Sequence, residues 1–246
     1  MSPRDRPAHH TASGLLRIAD VPTDLPRRRH QLELATFLLL VVPGLVLGQV
    51  TAASRQTFVL TGVATILNDL ALSALVLFFV WSGGESLASI GWTTRRAGRE
   101  AVLGVLLYLP MLGLLALLGW LLHGLGIGTS GSRPDFLEPR TPAELVLACV
   151  LVIVVACAEE TIFRGYLLLR LRELTRSTTA AVVIASLLFA SGHTYEGVGG
   201  VIAVGLMGVV FALVYVWRKS LVAPVVMHFV QDFLGLVIAP WLSTHR

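Results

Sequence analysis

The sequence predicts an all-α fold: a polytopic membrane helical bundle of about seven transmembrane helices. Three observations carry that prediction. Of 246 residues 55% are hydrophobic and only 14% are charged, and the mean hydropathy is +0.77, far too apolar for a soluble domain of this length. The apolar residues fall into runs, most of which match the ~20 residues that cross a bilayer. The basic residues lie between those runs and alternate by side, as membrane topology requires. With its cations so placed, a net charge of +4 and a pI near 9.6 do not point to nucleic acid. The bilayer itself is the first partner implied.

Residues 1–30 are polar, contain Arg27-Arg28-Arg29 and lack an apolar core, so no cleavable signal peptide is visible. They are expected to form a disordered cytoplasmic tail. Apolar segments follow at about 32–50, 58–81, 101–127, 142–173, 178–192, 198–217 and 221–242. The fourth is long and carries Arg164, Arg170 and Arg172 in its second half, so only its protein-facing part can lie in hydrocarbon. Pro43, Pro110, Pro224 and Pro240 fall inside segments, which membrane helices tolerate where neighbours satisfy the backbone. Gly199, Gly200, Gly205 and Gly208 give the sixth segment a small-residue face for close packing. Trp81, Trp92, Trp120, Trp217 and Trp241 sit near segment ends, as an aromatic belt predicts. Cys149 and Cys157 are eight residues apart on one segment, about 12 Å along a helix, too far for a disulfide.

The tail, Arg95-Arg96-Arg99, Arg170-Arg172-Arg176 and Arg218-Lys219 hold 14 of the 19 Lys+Arg. The opposite loops hold Arg55, Arg133, Arg140 and Arg246. The positive-inside rule then puts the N-terminus in the cytoplasm and the C-terminus outside a multi-pass chain in the cell membrane.

The fourth segment also carries Glu159-Glu160, and a charged side chain near the bilayer centre costs roughly 2.5–3.5 kcal/mol on insertion scales. Glu160 and Arg164 are one turn apart and can pair. Glu159 is turned about 100° away and stays available. Glu159 and His193 each lie seventeen residues from the Arg176 turn, so antiparallel packing brings both about 25 Å from it. His228 and Asp232 share a face of the seventh segment, and Asp232 lies at a comparable depth. Glu159, Glu160, His193, His228 and Asp232 can thus occupy one polar layer. Asn68-Asp69 either faces the same cavity or caps a break in the second segment. Glu144 opens the fourth helix as a dipole-favoured charge, and His123 meets the interface.

A carboxylate and an imidazole around a buried water make a general base with an orienting partner, and donors beside them can stabilise an oxyanion. The same groups resemble metal ligands: Glu159, His193, His228 and Asp232 can hold zinc with an open position. The zinc-peptidase helix pattern His-Glu-x-x-His is absent, and no helix presents two histidines at ligand spacing. No cofactor is therefore favoured, with zinc as the alternative.

Glu159-Glu160-x-x-x-Arg164, Phe189-x-x-x-His193 and His228-x-x-x-Asp232, in this order on successive segments, resemble the CPBP family of intramembrane proteases, which includes the type II CAAX prenyl proteases and bacteriocin-processing or immunity-associated members. The resemblance covers residues 142–239 as a catalytic core, while 31–141 match only as N-terminal transmembrane helices. It implies an intramembrane endopeptidase acting on a membrane-associated, in one branch prenylated CAAX-type, peptide or protein. It further implies that Glu159 activates water with His193, that His228 and residue 232 stabilise the oxyanion, that Glu160 and Arg164 support the site, and that Phe189 packs beside it. The last motif often ends in Asn, where this chain has Asp232. An ionised Asp cannot donate to an oxyanion, so Asp232 must be protonated, orient His228 or bind a metal. Competing readings are a proton-coupled transporter with Glu159, His193 and Asp232 as a relay, and a non-catalytic scaffold or bacteriocin-immunity protein.

Overall fold

Thr57, Thr141 and Ser177 each stand at a helix start with the side chain accepting from a backbone N–H three residues on, at 3.2–3.3 Å. At Thr141 the Glu144 carboxylate returns the bond to the Thr141 N–H at 3.0 Å, completing a capping box with Pro142 in the first turn. The charge that sequence assigned to the helix dipole is thus also a cap. In the computed structural model, which describes residues 27–51, 57–128 and 138–244, all regular elements are helical. They are α1 (Arg27–Thr51), α2 (Phe58–Ser82), α3 (Ala97–Gly124), α4 (Pro142–Thr175), α5 (Thr178–Ser191), α6 (Gly197–Arg218) and α7, which runs through Val222–Phe233, Leu234–Ile238 and Ala239–Thr244. Among the described residues five stretches are long and apolar enough to cross a membrane: Phe58–Ser82, Ala97–Gly124, Pro142–Thr175, Thr194–Arg218 and Val222–Leu242. The apolar α5 is shorter at 14 residues. The all-α membrane bundle expected from the apolar runs is what the chain forms.

Most of the tail, residues 1–26, lies outside the described residues, as do Arg55, Arg133 and Arg246. The helix α1 nevertheless begins at Arg27, inside the stretch assigned to the tail. Acceptors compensate the basic first turn: Arg29 donates to Glu33 at 2.9 Å and to Ser82 at 2.8 Å, and His30 Nδ1 meets Glu173 at 2.7 Å. Beneath them Arg170 is fully buried. It reaches Glu85 at 2.6 Å, Glu173 at 3.5 Å and Glu33 at 3.6 Å, with its guanidinium 5.1 Å from the Tyr166 ring centre. One end of α4 is therefore clamped to α1 and to the turn after α2.

The expected small-residue face of α6 packs on α5. A Cβ at Gly208 would stand 3.1 Å from Ser186 Cβ, and one at Gly205 would stand 3.6 Å from Ala190 Cβ. At Gly104 a Cβ would stand 2.7 Å from the Ala223 carbonyl, so α3 and α7 also touch backbone to backbone.

A short strap, Leu87–Ile90, was not foreseen from the apolar runs. It ends at Gly91 with φ 90°, and its carbonyl accepts from Leu221 N–H at 3.0 Å. The strap presses on α4, where a Cβ at Gly165 would stand 2.8 Å from Ile90 O. Trp92 is thereby drawn inward, and its indole N–H donates to Thr161 at 2.9 Å. The other four tryptophans are exposed on helix surfaces, as a belt requires.

Gly91→Ala places a side chain at positive φ, with its Cβ 2.5 Å from the Tyr215 ring. A loss of about 1–3 kcal/mol is expected, read as a lower thermal midpoint of the detergent-purified protein. An unchanged midpoint would show that the strap is not held in this way.

Candidate active site

The helix α4 changes winding at the motif. From Glu160 to Leu167 it is π-helical, and all eight residues are buried. Thr161 donates back to Cys157 O at 2.6 Å, and the Leu168 N–H reaches Phe163 O, five residues earlier. Such widened turns recur at functional sites because they re-aim side chains that a regular helix would spread apart.

Arg164 Nη1 donates to Glu160 Oε1 at 2.7 Å, with both side chains sealed from solvent. The same oxygen lies 2.9 Å from His228 Nδ1. The guanidinium sits 4.2 Å from the Phe189 ring centre and 5.2 Å from that of Phe211, a cation–π cradle that suits a desolvated arginine. The His228 ring stacks on Phe211 at 5.5 Å and meets Phe189 edge-on at 6.0 Å. An arginine-paired Glu160 is an acceptor only, so His228 donates from Nδ1. Its Nε2 is left facing Asp232 Oδ2 at 3.4 Å and Glu159 Oε2 at 3.7 Å. The second distance exceeds a hydrogen bond, and Glu159 Oε2 is buried with no hydrogen-bond partner among the described residues.

The imidazole that reaches the acid layer's centre is thus His228. His193 lies beyond the end of α5, with φ −111° and ψ 23°, and its Nδ1 donates to Phe189 O at 3.1 Å. Its depth was inferred from an uninterrupted helix, and the helix stops two residues earlier. His193 still borders the site, with its ring 5.1 Å from Phe189 and 5.8 Å from Tyr195, and it feels the charges of Asp232, His228 and Arg164. Phe189 packs among Phe163, His193, His228 and Arg164.

Three contributors escaped the sequence reading or were left open by it. Phe211 is one apolar residue among many on α6, with nothing to single it out. Gln231, beside Asp232, accepts from the Tyr108 hydroxyl at 3.1 Å and so ties α7 to α3. Asp69 is buried on an unbroken α2, so the alternative of a capped break does not apply.

Of the residues named for zinc, Glu159, His228 and Asp232 meet around His228 Nε2, and no group of three or more His, Cys, Asp or Glu side chains with metal-holding geometry occurs among the described residues.

Residues 141–234 match the family model described as type II CAAX prenyl endopeptidase Rce1-like. The chain carries an Rce1-like domain. It agrees with the family that the three motifs resemble, and it contains Glu159, Glu160, Arg164, Phe189, His193, His228 and Asp232. No curated protein and no solved structure matches the chain.

Within the Rce1-like domain, removing Arg164 would strand a buried carboxylate. Arg164→Leu is expected to destabilise the protein by about 3–5 kcal/mol. Adding Glu160→Gln should recover part of that loss in a double-mutant cycle read by denaturant unfolding in detergent. Additive losses would mean that the two groups are not coupled.

Proposed function

We propose that the protein is an intramembrane endopeptidase that hydrolyses a peptide bond in a membrane-associated peptide or protein, of the CAAX type for which the matched family is described. The observation that carries this reading is the double engagement of His228, with one nitrogen on the Glu160–Arg164 pair and the other facing Glu159 and Asp232. An imidazole anchored by a carboxylate at one nitrogen presents the other in a fixed direction.

In this reading Glu159 takes a proton from water as the water oxygen attacks the scissile carbonyl carbon. His193 has its Nδ1–H committed to Phe189 O, so in the neutral ring Nε2 is an acceptor that can orient the same water. Protonated His228 donates its Nε2–H to the developing oxyanion. Before substrate binds, Asp232 accepts from the same Nε2–H and so orients the ring, and it has no need to donate. Collapse of the tetrahedral species breaks the C–N bond, and the proton on Glu159 passes to the leaving amine. The products are a carboxylate and an amine. Water activation is metal-free, a reading supported by the orphaned Glu159 oxygen beside an oriented imidazole.

The cytoplasm is proposed for the N-terminus and for the Arg170–Arg176 turn, in the cell membrane. Reporter fusions after residues 95, 135, 175 and 196 should then read inside, outside, inside, outside, and a cytoplasmic signal at 135 would overturn this layout.

The decisive experiment is cleavage of a membrane-peptide library by the purified protein with and without chelator. Glu159→Gln should lower turnover by about 10²-fold or more at unchanged thermal stability. Asp232→Asn should keep or raise activity in chelator, because an amide still accepts from His228 and also offers donors. Loss of activity by Asp232→Asn in chelator, together with about one zinc per purified wild-type chain, would replace the metal-free reading with zinc hydrolysis.

A further inference from the structure

His193 stands beyond the last turn of α5, so helical neighbours do not hold its ring on both sides. Its backbone, at φ −111° and ψ 23°, lies near the sparsely allowed bridge region in which many active-site residues sit. Its Nδ1 bonds to Phe189 O at 3.1 Å, a carbonyl that also accepts from the Gly192 N–H at 3.2 Å. That bond fixes one nitrogen and leaves the ring plane free to turn about it. Two aromatic contacts set the plane. Phe189, four residues earlier, lies 5.1 Å away between ring centres at 49°, and Tyr195, two residues later, lies 5.8 Å away at 34°. Both separations fall in the range in which aromatic rings attract. Phe189 belongs to the second motif and also packs on His228 and Arg164. Tyr195 belongs to none of the three motifs.

The connection between α5 and α6 is built in a way that fixes where Tyr195 stands. Thr194–Glu196 is a single 3₁₀ turn, closed by the Glu196 N–H on His193 O at 3.0 Å. Gly197 follows with φ 75° and ψ 178°, a conformation that is essentially glycine's alone. A Cβ at Gly200 would collide with the Glu196 side chain, so the first turn of α6 lies hard against the connection. Two glycines thus seat the turn on α6, and a side chain at either position would displace it. Seated in this way, Tyr195 is half-buried beside His193 and within electrostatic reach of Glu159 and Asp232. The imidazole is therefore braced from the α5 side by Phe189 and from the α6 side by Tyr195.

We propose that Tyr195 is a positioning residue for His193: its ring sets the plane of the imidazole and so the direction in which Nε2 meets the attacking water. This rests on the reading of His193 as the residue that orients that water. The role is geometric. Tyr195 neither gives nor takes a proton, and the contact is made by the ring and needs no hydroxyl. A phenylalanine at 195 therefore serves as well as the tyrosine, whereas a side chain of similar bulk without a ring does not.

The test uses the full chain, purified in detergent, with Tyr195→Phe, Tyr195→Leu and Tyr195→Gln as variants. Either of the last two decides, should the other not fold. The first readout needs no substrate: the rate at which diethyl pyrocarbonate modifies His193, resolved by peptide mass spectrometry, with the exposed His123 as internal standard. Loss of the ring contact should raise that rate by about threefold or more in the Leu and Gln variants. The Phe variant should stay close to wild type. Equal rates in wild type and the Leu and Gln variants overturn the proposal. The second readout is cleavage of a peptide that the wild type cuts. Leu or Gln at 195 should lower kcat by about tenfold or more, because a misplaced orienting group loses alignment, with KM little changed and kcat restored in the Phe variant. In a His193→Ala background the same substitutions should add little, since Tyr195 acts through His193. Full additivity, or an equal loss in the Phe variant, overturns the proposal. The two readings fail separately: a wild-type protein that cleaves nothing sinks the peptidase while the modification rates still judge the contact, and cleavage with unchanged rates sinks only the role of Tyr195.

Discussion

A buried guanidinium cannot shed its charge, and that of Arg164 is sealed in an apolar bundle. The rest of the site follows from this constraint. Glu160 must be ionised beside it, and the same carboxylate oxygen then accepts from His228. That bond fixes the ring and turns Nε2 toward Glu159 and Asp232. Phe189 and Phe211 wall both the guanidinium and the imidazole. They exclude water, and the lower local dielectric strengthens each ionic contact. Arg164, far from the reacting groups in role, is thereby the reason that they have a fixed geometry.

The winding of α4 serves that geometry. Eight consecutive buried residues cannot present one face to lipid, so the π-helical stretch must be enclosed on all sides. The strap supplies one side, with Ile90 against Gly165 and Trp92 bonded to Thr161. Helices α5 and α6 supply another through Phe189 and Phe211. Below it Arg170 repeats the principle of the site in a purely structural form, a fully buried guanidinium answered by Glu85, Glu33 and Glu173.

Much of this was legible in the sequence because lipid leaves few solutions to the backbone: an apolar run must become a helix. The seven runs and their order emerged as helices, with ends displaced by a few residues where caps or charges intervened. At Arg27 the clustered basic charge argued for tail, and acceptors from two distant elements reversed it. The Glu160–Arg164 pair was legible because four-residue spacing places side chains together in a helix. His193 was less so, since depth counted from a turn assumes that the helix continues, and α5 ends at Ser191. The π winding, the strap and Phe211 left no trace, because each depends on tertiary contacts made by residues that look ordinary in a hydrophobic chain.

The Rce1-like match stops at residues 141–234, yet the physical unit does not. Bonds from earlier in the chain hold that region, among them Glu85 to Arg170, Trp92 to Thr161, and Tyr108 to Gln231. The first compensates a charge that the region alone would bury unpaired, a situation that costs several kcal/mol. The second holds the π-helical turn at the motif, and the third holds α7 beside Asp232. A fragment limited to the matched residues would expose the strap's packing surface on Gly165 and leave Arg170 without Glu85 and Glu33. The N-terminal helices therefore complete the electrostatics and packing around the matched region.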